Sequence, residues 1–463
     1  MKKAIIYLIP IIIMSCIKQT TENASADMLI KNITLIDGTG NNELYNQYIY
    51  LKDGRIVKID TLANYSPADT IIDGSGKYMI PGLFDNHYHL YRDSVDHTRM
   101  LKQLIHFGIT NAFIPGGSKT PYTTLRLIDS LENHNSIIAP KIWYTSPYVT
   151  IENAHPMKTA PNTKWIEGEN VYILRDGSSI PKIISDAKVN EAIGIKVDIE
   201  DGPMPPFIER IDAILIRKLA EEAHADNLLL VSHISDMDEV RLSVENGVDA
   251  ILHFVGRPID WKNDLNVIMK IKEKNISWVT TLNMGYGLMD YPLHPEWLET
   301  KEWEVFDIER KELKAQQDQH QQMAIGIING YFKMDLEEWE NYVSPTFYDV
   351  NKLDSLGINI VVGTDVGSPS EYNITGLSVH EEMQHYEKGG MNPLRIIKCA
   401  TLNAAKMLGV EEDYGSIETG KYGNMVILNE SPLDDISNTL SIDIVIKNGE
   451  VQERITNANN DYK

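Results

Sequence analysis

Residues 81–89 read Pro81-Gly82-Leu83-Phe84-Asp85-Asn86-His87-Tyr88-His89. A short apolar run ends there in two histidines two positions apart. Alternate residues of a strand share a face, so a strand here would aim His87 and His89 the same way. Two converging imidazoles form a metal-ligand pair. With 13 histidines in 463 residues, an ordinary number, position has to carry the argument. Other apolar runs end alike, in Val231-Ser232-His233, Leu252-His253 and Gly363-Thr364-Asp365. Four histidines and an aspartate thus close four separate strand-like runs.

Working outward, eight short apolar runs recur, each followed by a helical pattern: GLFDNHYHL, ITNAFIPG, KIWYTSPYVT, IGIKVDIE, LLLVSHIS, AILHFVG, SWVTTLNMG and INIVVGTDVG. Near-continuously apolar strands separated by helices imply a parallel sheet, and eight such units imply an α/β fold, a (β/α)8 barrel of the TIM type. Barrel sites are built at the carboxyl ends of the strands, where these histidines fall. Phe207–Ala225 carries Ile208, Ile211, Leu215 and Leu219 at helical spacing. Residues 286–344 are too long for a βα loop and are expected to form an inserted helical hairpin over the barrel mouth. Trp297, Trp303, Trp339 and Tyr342 would pack it, or serve it as a substrate lid.

The flanks differ in texture. Residues 28–80 and 414–455 alternate apolar and polar residues, with hairpin signals at Asp53-Gly54 and Asn448-Gly449. A small β-sandwich domain assembled from both chain ends is expected, around a barrel over 81–413.

Composition narrows the function. Lys and Arg number 43 against 66 Asp and Glu, a formal charge of −23, which disfavours nucleic acid as a partner because phosphate binding is driven by basic residues. Two cysteines, Cys16 and Cys399, exclude a disulfide scaffold and a cysteine zinc cluster. Lys2-Lys3 precedes an apolar run, Ala4–Met14, shorter than the ~20 residues a bilayer span needs. The run ends in Ser15-Cys16 and resembles a bacterial lipobox. Residues 1–16 are therefore expected to be a lipoprotein signal peptide, residues 17–27 a polar tether, and Cys16 a lipid anchor holding the protein at the cell envelope.

The stretch 81–89 resembles the opening signature of the amidohydrolase superfamily of metal-dependent hydrolases. His233, His253 and Asp365 match its ligands on the fifth, sixth and eighth strands. Residues 399–409 and 415–421 resemble its closing segment, although Asn424 stands where an aspartate is usual. Lys196, in Gly194-Ile195-Lys196-Val197, is similar to the lysine of the imidazolonepropionase-like and Xaa-Pro dipeptidase (prolidase)-like branch. In binuclear members that lysine is carboxylated and bridges two metals. The resemblance implies one or two divalent ions per chain, zinc being the expected metal. They would be held by His87, His89, Lys196, His233, His253 and Asp365, with Asp365 also the general base. The alternative for Lys196 is an ion pair with Asp198 or Glu200.

Where the branch often carries Gly-Gly-His, this chain has Asn153-Ala154-His155. His155, Tyr88 and Arg257 are the substrate-side candidates, with Arg92 a second possible carboxylate anchor. The expected reaction is hydrolysis of a C–N bond (amide, dipeptide or cyclic amide) or a lactone in a small molecule. Two other readings stand beside it: a mononuclear ring deaminase using Asp236 or Glu239, and a non-catalytic envelope binding lipoprotein. The resemblance also implies a homo-oligomer.

Overall fold

The computed structural model describes residues 26–455 except 63–67, 91–93, 117–119, 162, 203–205 and 368–371. The leader, Cys16 and Arg92 lie outside the described residues.

The parallel sheet contains β1 (Leu83–Asp85), β2 (Ile109–Ile114), β3 (Lys141–Thr150), β4 (Gly194–Asp198), β5 (Leu229–His233), β6 (Ala250–Leu252), β7 (Ser277–Val279) and β8 (Asn359–Val361), hydrogen-bonded in that order. Val171–Ile173 adds a short strand beside β3. The sheet curls until its first and last members meet. Asn86 N donates to Val362 O (3.2 Å), Asp365 N to His87 O (2.6 Å) and His89 N to Val366 O (2.8 Å). This seam places the end of the eighth strand beside the histidines of the first.

Helices alternate with these strands: α1 (Ser94–His106), α2 (Tyr122–Asn133), α3 (Ile180–Val189), α4 (Ala213–Ala225), α5 (Met237–Glu245) and α6 (Leu265–Glu273). The strands are buried on both faces, as a parallel sheet under helices requires. Phe84, Phe113, Val231, Leu252, Val279 and Val361 pack together with Ala404, Met407 and Leu408. Helix α4 starts six residues later than the apolar spacing suggests. Asp212 accepts from the backbone of Ile214 and Leu215, and this cap sets the start.

Both chain ends build one second sheet. Its order runs Glu450–Val451, Ile442–Lys447, Met425–Leu428, Tyr78–Pro81, Ala26–Leu35, Leu44–Lys52, Arg55–Asp60, with Ala68–Asp73 also on Ala26–Leu35. The seam between the ends is antiparallel, pairing Ile80 with Val426. Pairing joins these eight strands in a single sheet. Within it Ala26–Leu35 pairs with Ala68–Asp73 by its first half and Tyr78–Pro81 by its second, with register breaks against Leu44–Lys52 at Ile30/Ile33 and Ile33/Leu35. Its apolar face gathers Ile30, Ile33, Ile49, Met79, Met425, Ile427 and Ile446.

Both hairpin signals are two-residue turns with positive φ at each central residue, Asp53 (50°) and Gly54 (76°), Asn448 (51°) and Gly449 (75°). A Cβ on Gly449 would lie 2.9 Å from the Gly54 Cα, so the two tips touch and need glycine there.

Between β7 and β8 the chain forms α7 (Leu282–Asp290), three 3-10 turns over residues 291–305, α8 (Asp307–Ile327), a π turn at Ile328–Phe332 and α9 (Leu336–Ser355). The helical segment is longer than the expected 286–344. Helix α9 runs on through Pro345 to lead directly into β8, so insertion and barrel helix are one element. The four aromatics divide. Trp297 and Trp303 pack against the main core, whereas Trp339 and Tyr342 form a separate small cluster with Met289, Ile328 and Phe332. Arg99 on α1 grips Glu309 on α8 through both guanidinium nitrogens (2.7 and 3.1 Å), both residues buried, and ties the insertion to the body.

Behind the eighth strand, α10 (Leu377–Lys388) buries Glu381 and Glu382. Glu381 accepts from Trp297 Nε1 (2.8 Å), Ser378 Oγ (3.0 Å) and Asn283 Nδ2 (3.3 Å). Burial pushes its pKa up to about 7 from the ordinary 4.5, against those hydrogen bonds. A raised carboxylate pKa means folding favours the protonated form, so its stabilisation is full below about 4.5 and lost as pH rises through about 7. Measured from pH 5 to 8.5, the melting temperature of the wild type should therefore fall relative to that of Glu381→Gln. A difference independent of pH would contradict this.

Candidate metal centre

Six residues singled out in the sequence lie at the carboxyl end of the curled sheet. His87 and His89 follow β1, Lys196 is in β4, His233 ends β5, His253 follows β6 and Asp365 follows β8. The two faces of each strand explain the convergence. His87 and His89 share a face, and their Nε2 atoms stand 3.3 and 3.2 Å from Asp365 Oδ1. The His87 ring lies 4.6 Å from that of His253, and the His253 ring 4.1 Å from that of His233. Two residues reach the cluster only through unusual backbone: His253 (φ 76°) and Asp365 (φ 59°) are left-handed, a strain of order 1–3 kcal/mol each of the kind concentrated at functional sites.

Burial determines the chemistry of these groups. It drives the pKa of His87, His233 and His253 well below the usual histidine range, helped by neighbouring positive groups. A lowered pKa favours the neutral ring, which has a bare nitrogen to offer. Burial works to raise Asp365, but His253 and His89 beside it outweigh that and hold it below the ordinary carboxylate range. His253 Nδ1 lies 3.0 Å from Thr281 Oγ1, while its Nε2, fully buried, has no hydrogen-bond partner. A buried nitrogen in that state is costly unless something coordinates it.

Lys196 is fully buried and its Nζ makes no hydrogen bond. The ion pair with Asp198 or Glu200 weighed above is therefore not formed within bonding distance. Burial lowers its pKa to about 8, opposed by the charges of Asp198, Asp365 and Glu200. Gly116 (φ 69°) makes room for its stem, since a Cβ there would meet Lys196 Cγ at 2.9 Å.

Two groupings have metal-binding geometry among the described residues: His87, His89 and Asp365, and His155, Glu200 and His233. His155 thus stands inside the centre; its ring stacks on that of His233 at 4.6 Å. Tyr88 does not face the cluster. It is fully buried in the main core, 3.5 Å from Thr375 by its hydroxyl, because a residue between His87 and His89 points to the opposite face. Arg257 is exposed, and its charge acts on Tyr342 of α9. Asp236 caps α5 through Asp238 N and Glu239 N, and Glu239 accepts from the backbone of Ser235, Asp236 and Asp201. Both carboxylates of the deaminase alternative thus hold loops together.

Three participants went unrecognised in the sequence. Asp85 accepts from His87 N, Thr364 N and Thr364 Oγ1, locking the first strand to the eighth. Tyr148 sits 6.0 Å from Lys196 Nζ, ring centroid to atom, and 6.4 Å from the His89 ring. Glu200 places Oε2 2.5 Å from His233 Nε2. The available signal was alternation: Lys196, Asp198 and Glu200 follow one another at intervals of two along β4 and its extension.

The sequence profile of the amidohydrolase family matches residues 78–451. The chain belongs to the amidohydrolase family. It is an enzyme acting on C–N bonds, and the family is metal-dependent. Among curated relatives, the amidohydrolase is 23% identical over 404 residues to the 5'-deoxyadenosine deaminase of Methanothermobacter thermautotrophicus, covering 82% of this chain and 80% of that one. It is 21% identical over 423 residues to the 5-methylthioadenosine/S-adenosylhomocysteine deaminase of Thermoanaerobacter pseudethanolicus, covering 87% and 85%. Among solved structures it resembles a Xaa-Pro dipeptidase with methionine bound in its active site (TM-score 0.68, 19% identity, 92% of this chain and 99% of that one). It also resembles the A. niger ochratoxinase (TM-score 0.67, 19% identity, 92% and 95%). At these identities the solved structures speak for the fold.

Proposed function

We propose that this amidohydrolase is a binuclear enzyme that hydrolyses an amide-type C–N bond of a small molecule, in a dipeptide, an N-acyl amino acid or a cyclic amide, with a lactone as the oxygen counterpart. One observation carries the reading: Lys196 Nζ is buried without a hydrogen bond at the carboxyl end of the same sheet as four histidines and Asp365. Burial lowers the Lys196 pKa and so enlarges the share of free amine at neutral pH. That amine adds to CO2, losing one proton, and becomes a carbamate. The cation is thereby converted into an oxygen ligand of the type divalent metals accept. His87, His89 and Asp365 would hold one ion; His233, His253 and the Lys196 carbamate would hold the second, zinc being the expected metal.

A divalent ion bound there supplies Lewis-acid polarisation of the carbonyl and acidification of water. Asp365 takes the proton of the attacking water on its carboxylate and returns it to the leaving nitrogen. The low pKa of Asp365 keeps it ionised for the first of these steps. The named deaminase relatives favour a second reading, a mononuclear ring deaminase; the capping roles of Asp236 and Glu239 weigh against it.

Metal per polypeptide, measured by elemental mass spectrometry on protein expressed with bicarbonate, separates the readings. Near two equivalents in the wild type and near one in Lys196→Ala is the expected result. Near one in both would favour the deaminase, and none after reconstitution would overturn a metal-dependent hydrolase. The leader supports a further element of the proposal, that Cys16 is lipidated and anchors the enzyme at a bacterial envelope membrane. Radiolabelled palmitate should enter the wild type and not Cys16→Ser. No helix among the described residues is long and apolar enough to cross a membrane. A homo-oligomer, read from the family resemblance, is checked by light scattering.

A further inference from the structure

We propose that Glu200 is a positioning residue of the metal centre, one that fixes which nitrogen of His233 faces the metal; this rests on the binuclear reading. The observations are geometric. Glu200 Oε2 lies 2.5 Å from His233 Nε2, and both side chains are largely buried. Against a carboxylate, Nε2 is the nitrogen that carries the proton, so it donates to Glu200. The other nitrogen, Nδ1, is left with its lone pair and without the proton.

The surroundings keep this arrangement in place. The His155 ring stacks against His233 at 4.6 Å and 28°, which opposes rotation of the imidazole. The same Glu200 oxygen lies 3.5 Å from His155 Nδ1, whose nearer neighbour is Thr159 Oγ1 at 2.6 Å. One oxygen thus faces two histidines. The Glu200 N in turn reaches Asp198 Oδ1 (3.3 Å), which steadies the chain just past β4. On the opposite flank, Thr281 takes His253 Nδ1 and leaves Nε2 bare. The two histidines of the second metal position would thus bind through different nitrogens, each selected by its partner.

A carboxylate behind a ligating histidine also raises the basicity of the bound nitrogen. Loss of such a partner typically costs about 10–100-fold in metal affinity. The test uses cobalt alone, titrated into the apo full chain against a competing chelator, with the visible spectrum of the loaded protein as a second readout. Glu200→Gln preserves shape and can still accept from His233 while removing the charge; Glu200→Ala removes the partner altogether. The expected result is that both variants keep the wild-type apo melting temperature. The weaker-bound equivalent should lose about 10–100-fold in affinity, and the cobalt bands should shift.

In a double-mutant cycle with His233→Asn, the Glu200→Gln effect should vanish, since Glu200 acts through that histidine. Wild-type affinity and spectrum in both Glu200 variants would overturn the proposal. Additive losses in the cycle would also overturn it, by making Glu200 a direct ligand. A wild type that binds no cobalt would instead remove the binuclear reading, and this inference with it.

Discussion

Asp365→Asn should lower turnover by about 10²–10⁴-fold while the protein folds and melts as the wild type does. That loss equals roughly 2.7–5.5 kcal/mol of transition-state stabilisation. The substitution keeps volume and one carbonyl oxygen, and it leaves untouched the backbone bond from Asp365 N to His87 O that joins the first and last strands. What disappears is the only carboxylate between His87, His89 and His253 among the described residues, and with it the group that carries the proton from water to the leaving nitrogen. Steady-state rates, with metal content measured on the same samples, decide the point. Activity within a few-fold of wild type would remove Asp365 from the mechanism. Lost activity with lost metal would assign it to binding alone.

Trp303→Ala should destabilise the apo enzyme by about 3–5 kcal/mol. Trp303 is completely buried, at the foot of the insertion. Its ring meets that of Trp297 edge-on at 5.0 Å and that of Phe306 at 5.7 Å, and Phe306 stacks on Phe107 at the end of α1. Removing the indole leaves a void lined by rings that belong to both the insertion and the body, and such rings cannot collapse together. Denaturant unfolding should show the loss. Tyr331→Ala, at an exposed position near the far end of the insertion, should change stability by less than about 0.5 kcal/mol. Equal effects from the two would mean that the insertion is not anchored through Trp303.

Much of this molecule can be read without coordinates, because strand periodicity is local. A run such as Leu83–His89 has to alternate, so the shared direction of His87 and His89 follows from spacing alone. The same rule, applied strictly, excludes Tyr88 from that face. Asp53-Gly54 and Asn448-Gly449 specify their own turns through φ. Asp236 and Glu239 show the limit of motif reading. They stand in the sequence as the acidic candidates of a deaminase, whereas three residues apart at the start of a helix they form a capping box.

The sequence by itself determined the α/β class, the eight βα units, membership of the amidohydrolase family and the strand ends on which metal-binding side chains stand. These features depend on composition and on contacts between near neighbours in the chain. The tertiary structure alone decided how the strand ends combine. It brought Asp365 to His87 across the seam, left Lys196 without a hydrogen bond, drew His155 in beside His233 and set Glu200 behind it. It also turned Arg257 towards the insertion. The physical reason is that burial, loss of solvation and the pairing of polar atoms depend on residues tens to hundreds of positions apart, which meet only when the sheet has curled upon itself.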